Sequence, residues 1–156
     1  MAGPTLSLYA FKRVRGRPCH TAVMSELVQN LATNPVHLGL GATAEVEPTF
    51  TGDMAWYVGY VERHEGDGQE ARLVSTATFA GAWGMWEMHP NGAEVVLCTA
   101  GVLSFTQELA GGNVTVELQA GEYIVNPPGV WHTANEASDG TAVFITAGVG
   151  TEHRPG

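Results

Sequence analysis

From Trp56 to Gly148 the chain is cut into short pieces by turn residues, and no other feature narrows its fold so far. AWGMWEMH, EVVLCTA, VLSFTQEL, NVTVEL, EYIVN and TAVFITAG are runs of five to eight residues in which β-branched and aromatic side chains recur. Between them stand Asn91-Gly92, Gly101, Gly111-Gly112-Asn113, Gly121, Pro127-Pro128-Gly129 and Asp139-Gly140. Pieces bounded in this way are too short for helices and suit strands joined by tight turns. Their even spacing predicts an antiparallel sandwich or barrel. Upstream, WYVGYVE and ARLVSTATFA flank the polar RHEGDGQE and read as a further hairpin.

Residues 1–54 follow another pattern. Lys12, Arg13, Arg15 and Arg17 crowd an arm that ends in Gly16-Arg17-Pro18. From Thr21 to Thr33, Met24, Leu27, Val28 and Leu31 fall on one helical face, and Asn34-Pro35 supplies a stop. Residues 36–53 read as extended connection with one short strand at most. The expected organisation is therefore an arm, helix and connection over 1–54 packed on a barrel over 55–150, with a tail at 151–156. At 156 residues the chain suffices for one such core.

Charge and cysteine content exclude several functions. The net charge is −9, and after the basic arm only Arg63, Arg72 and Arg154 offset the acidic residues. Such a body repels nucleic acid, so the arm reads as solvated or as a subunit contact. No apolar segment is long enough to cross a bilayer. The opening MAGPTLSLYAFKRVRGRP lacks the order of a secretory signal, and the cytoplasm is the expected compartment. Cys19 and Cys98 are far apart and read as idle thiols.

Chemistry concentrates between residues 81 and 135. Alternation on the strand after Gly81 puts Trp83, Met85, Glu87 and His89 on one face, so two metal-ligating side chains two residues apart enter the same space. Glu94 opens the next strand, within reach across the turn. His132 follows Pro127-Pro128-Gly129, a loop stiffened by two fixed φ angles and released by glycine. His20, His37, His64 and His153 read as surface histidines of the arm, connection, turn and tail.

The stretch Gly81–Gly101 is similar to the first cupin motif, G-x5-H-x-H-x4-E-x6-G, with every spacing kept and Glu87 in place of the first histidine. The stretch Gly121–Asn135 resembles the second, G-x5-P-x-G-x2-H-x3-N, with the asparagine one residue early. The resemblance implies an all-β fold, a single double-stranded β-helix (cupin or jelly-roll) barrel. It also implies one divalent metal ion per chain held by Glu87, His89, Glu94 and His132. Two imidazoles and two carboxylates neutralise a divalent ion and suit iron(II) first, with zinc, manganese or nickel next and copper less favoured.

Three functions fit such a centre: oxygenation at iron(II), isomerase, cyclase or lyase chemistry with Glu87 as the catalytic acid-base, and small-molecule binding without turnover. Oxygenation is the first expectation. Trp83, Met85 and Phe105 are expected to wall the substrate pocket, with Tyr123 and Trp131 at its rim. These residue types point to an apolar or aromatic small molecule as substrate. Trp86 and Met88 point outwards and call for a cover, either the Thr21–Thr33 helix or a second subunit, so a homodimer is expected. Neither nucleic acid nor a membrane is expected as partner.

Overall fold

The computed structural model describes residues 27–156. Within them the chain forms β1 (Val36–Gly39), β2 (Thr43–Val46), α1 (Met54–Arg63), β3 (Arg72–Ala80), β4 (Met85–Met88), β5 (Glu94–Leu109), β6 (Gly112–Gln119), β7 (Tyr123–Asn126), β8 (His132–Ala134), β9 (Asp139–Thr146) and β10 (Glu152–Pro155). The strands join one sheet in the order β10-β4-β8-β5-β9-β3-β1-β2, with β6 and β7 also pairing β5. The expected fold class holds: this is an all-β jelly-roll barrel, to which α1 adds one short helix among the elements described. No helix among the described residues is long and apolar enough to cross a membrane.

β5 organises the barrel. Its first part pairs β7 and β9, and its second part pairs β6 and β8. The change of partners follows a register shift between Cys98 and Ala100. Gly101 comes next with φ 68°, and a Cβ there would stand 2.8 Å from Gly140 Cα and run into the carbonyl of Asp139. Only glycine takes that φ without strain and lets β9 approach so closely. Around this bend Phe79, Val96, Cys98, Leu103, Phe105, Leu118, Ala134, Ala142 and Phe144 form the main core. Full burial of each larger apolar side chain there contributes about 1.5–3 kcal/mol. Cys98 is fully buried, as an idle thiol should be; Cys19 and the basic arm lie outside the described residues.

Four local expectations need correction. WYVGYVE is α1, not a strand: Asp53 caps it by accepting from the Trp56 amide (2.9 Å), and Trp56 and Tyr60, one turn apart, fill a second core with Leu73. The cap and this burial override the strand preference of the tryptophan, tyrosines and valines. Residues 36–46 supply two paired strands rather than one. The Thr21–Thr33 helix lies outside the described residues up to residue 26, and residues 28–30 are irregular. There Asn30 Oδ1 accepts from the Ala32 amide (2.9 Å), which diverts the backbone into a turn over residues 31–33. Finally, residues 152–155, expected within a tail, form β10 on the edge of the sheet.

Candidate metal centre

Sheet pairing assembles the centre. Glu87 on β4 lies opposite His132, the first residue of β8. Glu94, the first residue of β5, pairs with Asn126 of β7. His89 follows β4, and its carbonyl accepts from the Gly129 amide (3.0 Å), which ties the proline-rich loop before His132 to the strand that carries His89. The four side chains expected as ligands thus meet, each offering a ligand atom within 4.8 Å of the others. His89, Glu94 and His132 are at most 2% exposed.

Hydrogen bonds fix which imidazole nitrogens face inward. His132 Nδ1 lies 3.1 Å from the Val130 carbonyl, which can only accept, so Nδ1 carries a proton. The Thr151 hydroxyl donates to the Gly148 carbonyl (3.0 Å) and therefore accepts from His89 Nδ1 at 2.9 Å. In both neutral rings the lone pair is left on Nε2. Both Nε2 atoms are buried without a hydrogen-bond partner. His132 Nε2 lies 3.1 Å from Glu94 Oε2, and His89 Nε2 lies 3.4 Å from Glu94 Oε1 and 3.9 Å from Glu87 Oε2. Acceptors that converge at such distances without a proton between them call for a cation. The residues present therefore fit a divalent ion, and the chain carries a candidate metal-ligand group.

Glu94 is positioned by neutral donors. Asn126 Nδ2 donates to its Oε2 (2.9 Å) and the Thr146 hydroxyl to its Oε1 (2.6 Å). Burial pushes the Glu94 carboxyl up, but His132 and His89 beside it outweigh burial and hold it well below its ordinary range. Burial opposes a charge on His132, yet Glu94 alongside raises its pKa above the usual value. Glu87 is more open, with 15% of its side chain exposed, and its Oε1 lies 3.1 Å from His153 Nε2. That contact raises the His153 pKa.

Glu87 and Glu94 face a cavity of about 1060 Å³ between α1 and the sheet. Of the residues expected to wall or rim a substrate pocket, Trp83 and Met85 line this cavity. The other three pocket residues lie elsewhere. Phe105 is core, its ring 5.7 Å from that of His132; Tyr123 stands 64% exposed on β7; Trp131 stacks on Arg154 at 4.4 Å. In their place α1 contributes Met54, Tyr57, Val58 and Val61. Their i, i+3, i+4, i+7 spacing was the available signal, hidden under a strand reading. Burial, and then the charge of Glu87, raise the pKa of the Tyr57 hydroxyl.

Two of the remaining histidines differ from expectation: His37 is fully buried and His64 is largely buried beside it, enclosed by polar partners from distant segments, which chain position alone does not announce. His153 is exposed, as a surface histidine of the tail should be, and it also reaches Glu87; His20 lies outside the described residues. Trp86, expected to need a separate cover, lies under the Arg154 guanidinium at 5.1 Å.

The family profile of the cupin domain matches residues 79–148. Among solved structures, Peruvianin-I, a cysteine peptidase from Thevetia peruviana latex, is similar at 17% identity and TM-score 0.42, over 53% of each chain. A mutant of Bacillus subtilis oxalate decarboxylase is similar at 22% identity and TM-score 0.39, over 55% of this chain and 21% of that one. Hydroquinone 1,2-dioxygenase from Sphingomonas sp. TTNP3, with 4-hydroxybenzoate bound, is similar at 17% identity and TM-score 0.40, over 48% of this chain and 59% of that one. This chain thus spans about half, a fifth and three-fifths of the three. No curated protein sequence matched the chain significantly. Residues 79–148 are a cupin domain.

Proposed function

We propose that the protein is a metal-dependent enzyme that carries out oxygenase-type chemistry on a neutral, largely apolar organic molecule bearing adjacent oxygen donors. One observation carries this reading: two orphaned imidazole nitrogens and two carboxylates converge beside a large cavity whose walls are mostly apolar. Iron(II) is the ion we assign, ahead of zinc, manganese and nickel. When bound, it would supply a Lewis acid for the substrate oxygens and an electron source for dioxygen.

In this reading His89, His132 and Glu94 hold the ion, because they are the buried ligands with fixed partners. Glu87 completes the set in the resting state. It is the most exposed of the four and its Oε2 lies 3.9 Å from His89 Nε2, so it is the ligand best able to yield a position to substrate. Among the described residues the cavity is lined by Glu62, Glu87 and Glu94 and by no lysine or arginine. An anionic substrate would find no lysine or arginine there, and His153 is already engaged with Glu87, whereas a neutral substrate would meet apolar walls that exclude water.

A second reading makes the protein an isomerase, cyclase or lyase, with Glu87 Oε2 taking a proton from a carbon beside a carbonyl. Its support is the place of Glu87 at the cavity, with His153 and the Tyr57 hydroxyl around it. Binding without turnover is the third. Elemental analysis of protein purified without added metal or chelator, followed by oxygen uptake with neutral dihydroxy-aromatic compounds, separates the three. About one iron per chain and substrate-dependent oxygen uptake are expected. Zinc or manganese without oxygen uptake would move the assignment to proton transfer, and failure to load any divalent ion would overturn the metal centre.

A further inference from the structure

Outside the four ligands, the side chains that orient them divide into two sets. Those of Glu94 and His132 come from the barrel itself: Asn126 on β7, Thr146 on β9 and the Val130 carbonyl. Those of His89 and Glu87 come from the segment 151–155. Thr151 accepts from His89 Nδ1 (2.9 Å) because its own proton is committed to the Gly148 carbonyl. His153 lies opposite Glu87 in the β10–β4 register, and its Nε2 lies 3.1 Å from Glu87 Oε1. A carboxylate accepts, so this nitrogen donates, and Oε2 is left facing His89.

The next residue fastens this segment down. Alternation turns the side chain of Arg154 to the opposite face of β10 from His153. There its guanidinium lies 5.1 Å from the Trp86 ring and 4.4 Å from the Trp131 ring and pairs with Glu108. Before the strand, Asn91 Nδ2 donates to the Val149 carbonyl (3.0 Å), and Gly150 takes a positive φ of 77°. The path is defined by these contacts as well as by the ladder.

We infer that segment 151–155 is a strap that positions half of the metal centre, with Thr151 setting the tautomer and direction of His89 and His153 holding Glu87 in its ligand orientation. The inference rests on the metal-centre reading above. Thr151 and His153 are positioning residues, since each acts through a ligand. Loss of such an outer partner weakens a metal site by about 10–100-fold.

The test is zinc affinity of the full-length protein by competition with a chromophoric chelator, with circular dichroism and melting temperature recorded for each variant. Thr151→Val keeps the shape and removes the acceptor; His153→Leu removes the donor. Each is expected to lower zinc affinity about 10–100-fold while the barrel stays folded. Thr151→Ser and His153→Gln restore the hydrogen-bonding groups and should recover most of the affinity. Wild-type affinity within twofold in both Thr151→Val and His153→Leu would overturn the strap alone. Equal losses in the restoring variants, accompanied by a fall in melting temperature, would reduce it to ordinary structural support. A wild-type protein that binds no zinc and no other divalent ion would remove the metal centre and the strap together.

Discussion

The group Glu87, His89, Glu94 and His132 and the group His37, His64 and Asp67 both combine imidazoles with carboxylates, and in each the potential ligand atoms lie within 4.8 Å of one another. They differ in where the nitrogen lone pairs go. In the second group His37 Nδ1 meets the Tyr60 hydroxyl (3.0 Å) and Nε2 meets Asp67 (2.9 Å). His64 Nε2 meets Glu47 (2.5 Å), whose other oxygen takes Arg63 (2.6 Å). The two rings stack at 3.5 Å and 10°, so their in-plane lone pairs run side by side instead of converging. This network is complete with protons and one arginine. The first group is incomplete without a cation, and proximity of ligand types alone does not separate the two.

The sharpest way to break the comparison is to delete one side chain from each group and count metal. His132→Ala or Glu94→Gln should lower iron or zinc retention by more than about 100-fold, beyond the loss of an outer partner. His37→Ala should leave retention unchanged in elemental analysis. Metal lost from a folded His37→Ala protein would mean that the second group is a site as well.

Acid should separate the groups next. A proton and a metal ion compete for His132 Nε2, and the raised pKa of His132 favours the proton. Apparent zinc affinity should be level at high pH and begin to fall as pH drops through that raised value, above the usual 6.5, with loss of the ion following at lower pH. Asp67 moves the other way, its carboxyl held below the ordinary 3.8 by the His37 hydrogen bond. Its contribution to stability is present above 3.8 and is lost only as pH falls through the lower folded value. Melting curves at pH 5 should therefore still record an intact second network in protein that has shed its metal.

Smaller effects sharpen the view of the second group as structural. A Cβ on Gly39 would stand 2.6 Å from His37 Nε2 and 2.8 Å from Thr43 Oγ1 and would also press on Asp67. Gly39→Ala should cost about 1–3 kcal/mol in denaturant unfolding and leave metal content unchanged. Ala42, in the turn between β1 and β2, has φ 61°, a left-handed conformation that a side chain opposes. Ala42→Gly should stabilise by up to about 1 kcal/mol, since glycine takes that φ at little cost. No gain would mean that the hairpin carrying His37 holds no strain there.

The motif residues were legible because their geometry is local. A two-residue step on β4, a short turn and a stiff loop before His132 bring the four candidate ligands together, while contacts that orient Glu87 and His89 come from residues 151–153. α1 was not legible as a helix, since its Trp56-Tyr57-Val58 run favours strands and the decisive terms, the Asp53 cap and the Trp56–Tyr60–Leu73 core, are one residue and one tertiary cluster. β10 carries no apolar alternation in Glu152-His153-Arg154-Pro155. Its place depends on Trp86, Trp131, Glu108 and Glu87, up to sixty-eight positions away in sequence, as Glu152 pairs with Met88 and His153 with Glu87. Tyr123 and Trp131 were misplaced because aromatic character does not say which side of a short strand faces a cavity.

β5 is paired along both edges from Val95 to Leu97, whereas among the described residues β10 is paired along only one edge, to β4. Doubly paired amides exchange with solvent on global opening, and a singly paired edge strand opens by fraying. Glu94 thus rides beside a doubly paired part of the sheet, while His89 and Glu87 lean on a singly paired strand. If segment 151–155 is the strap proposed above, the residence time of a bound ion would follow how often β10 lifts, a rate separate from the stability of the barrel.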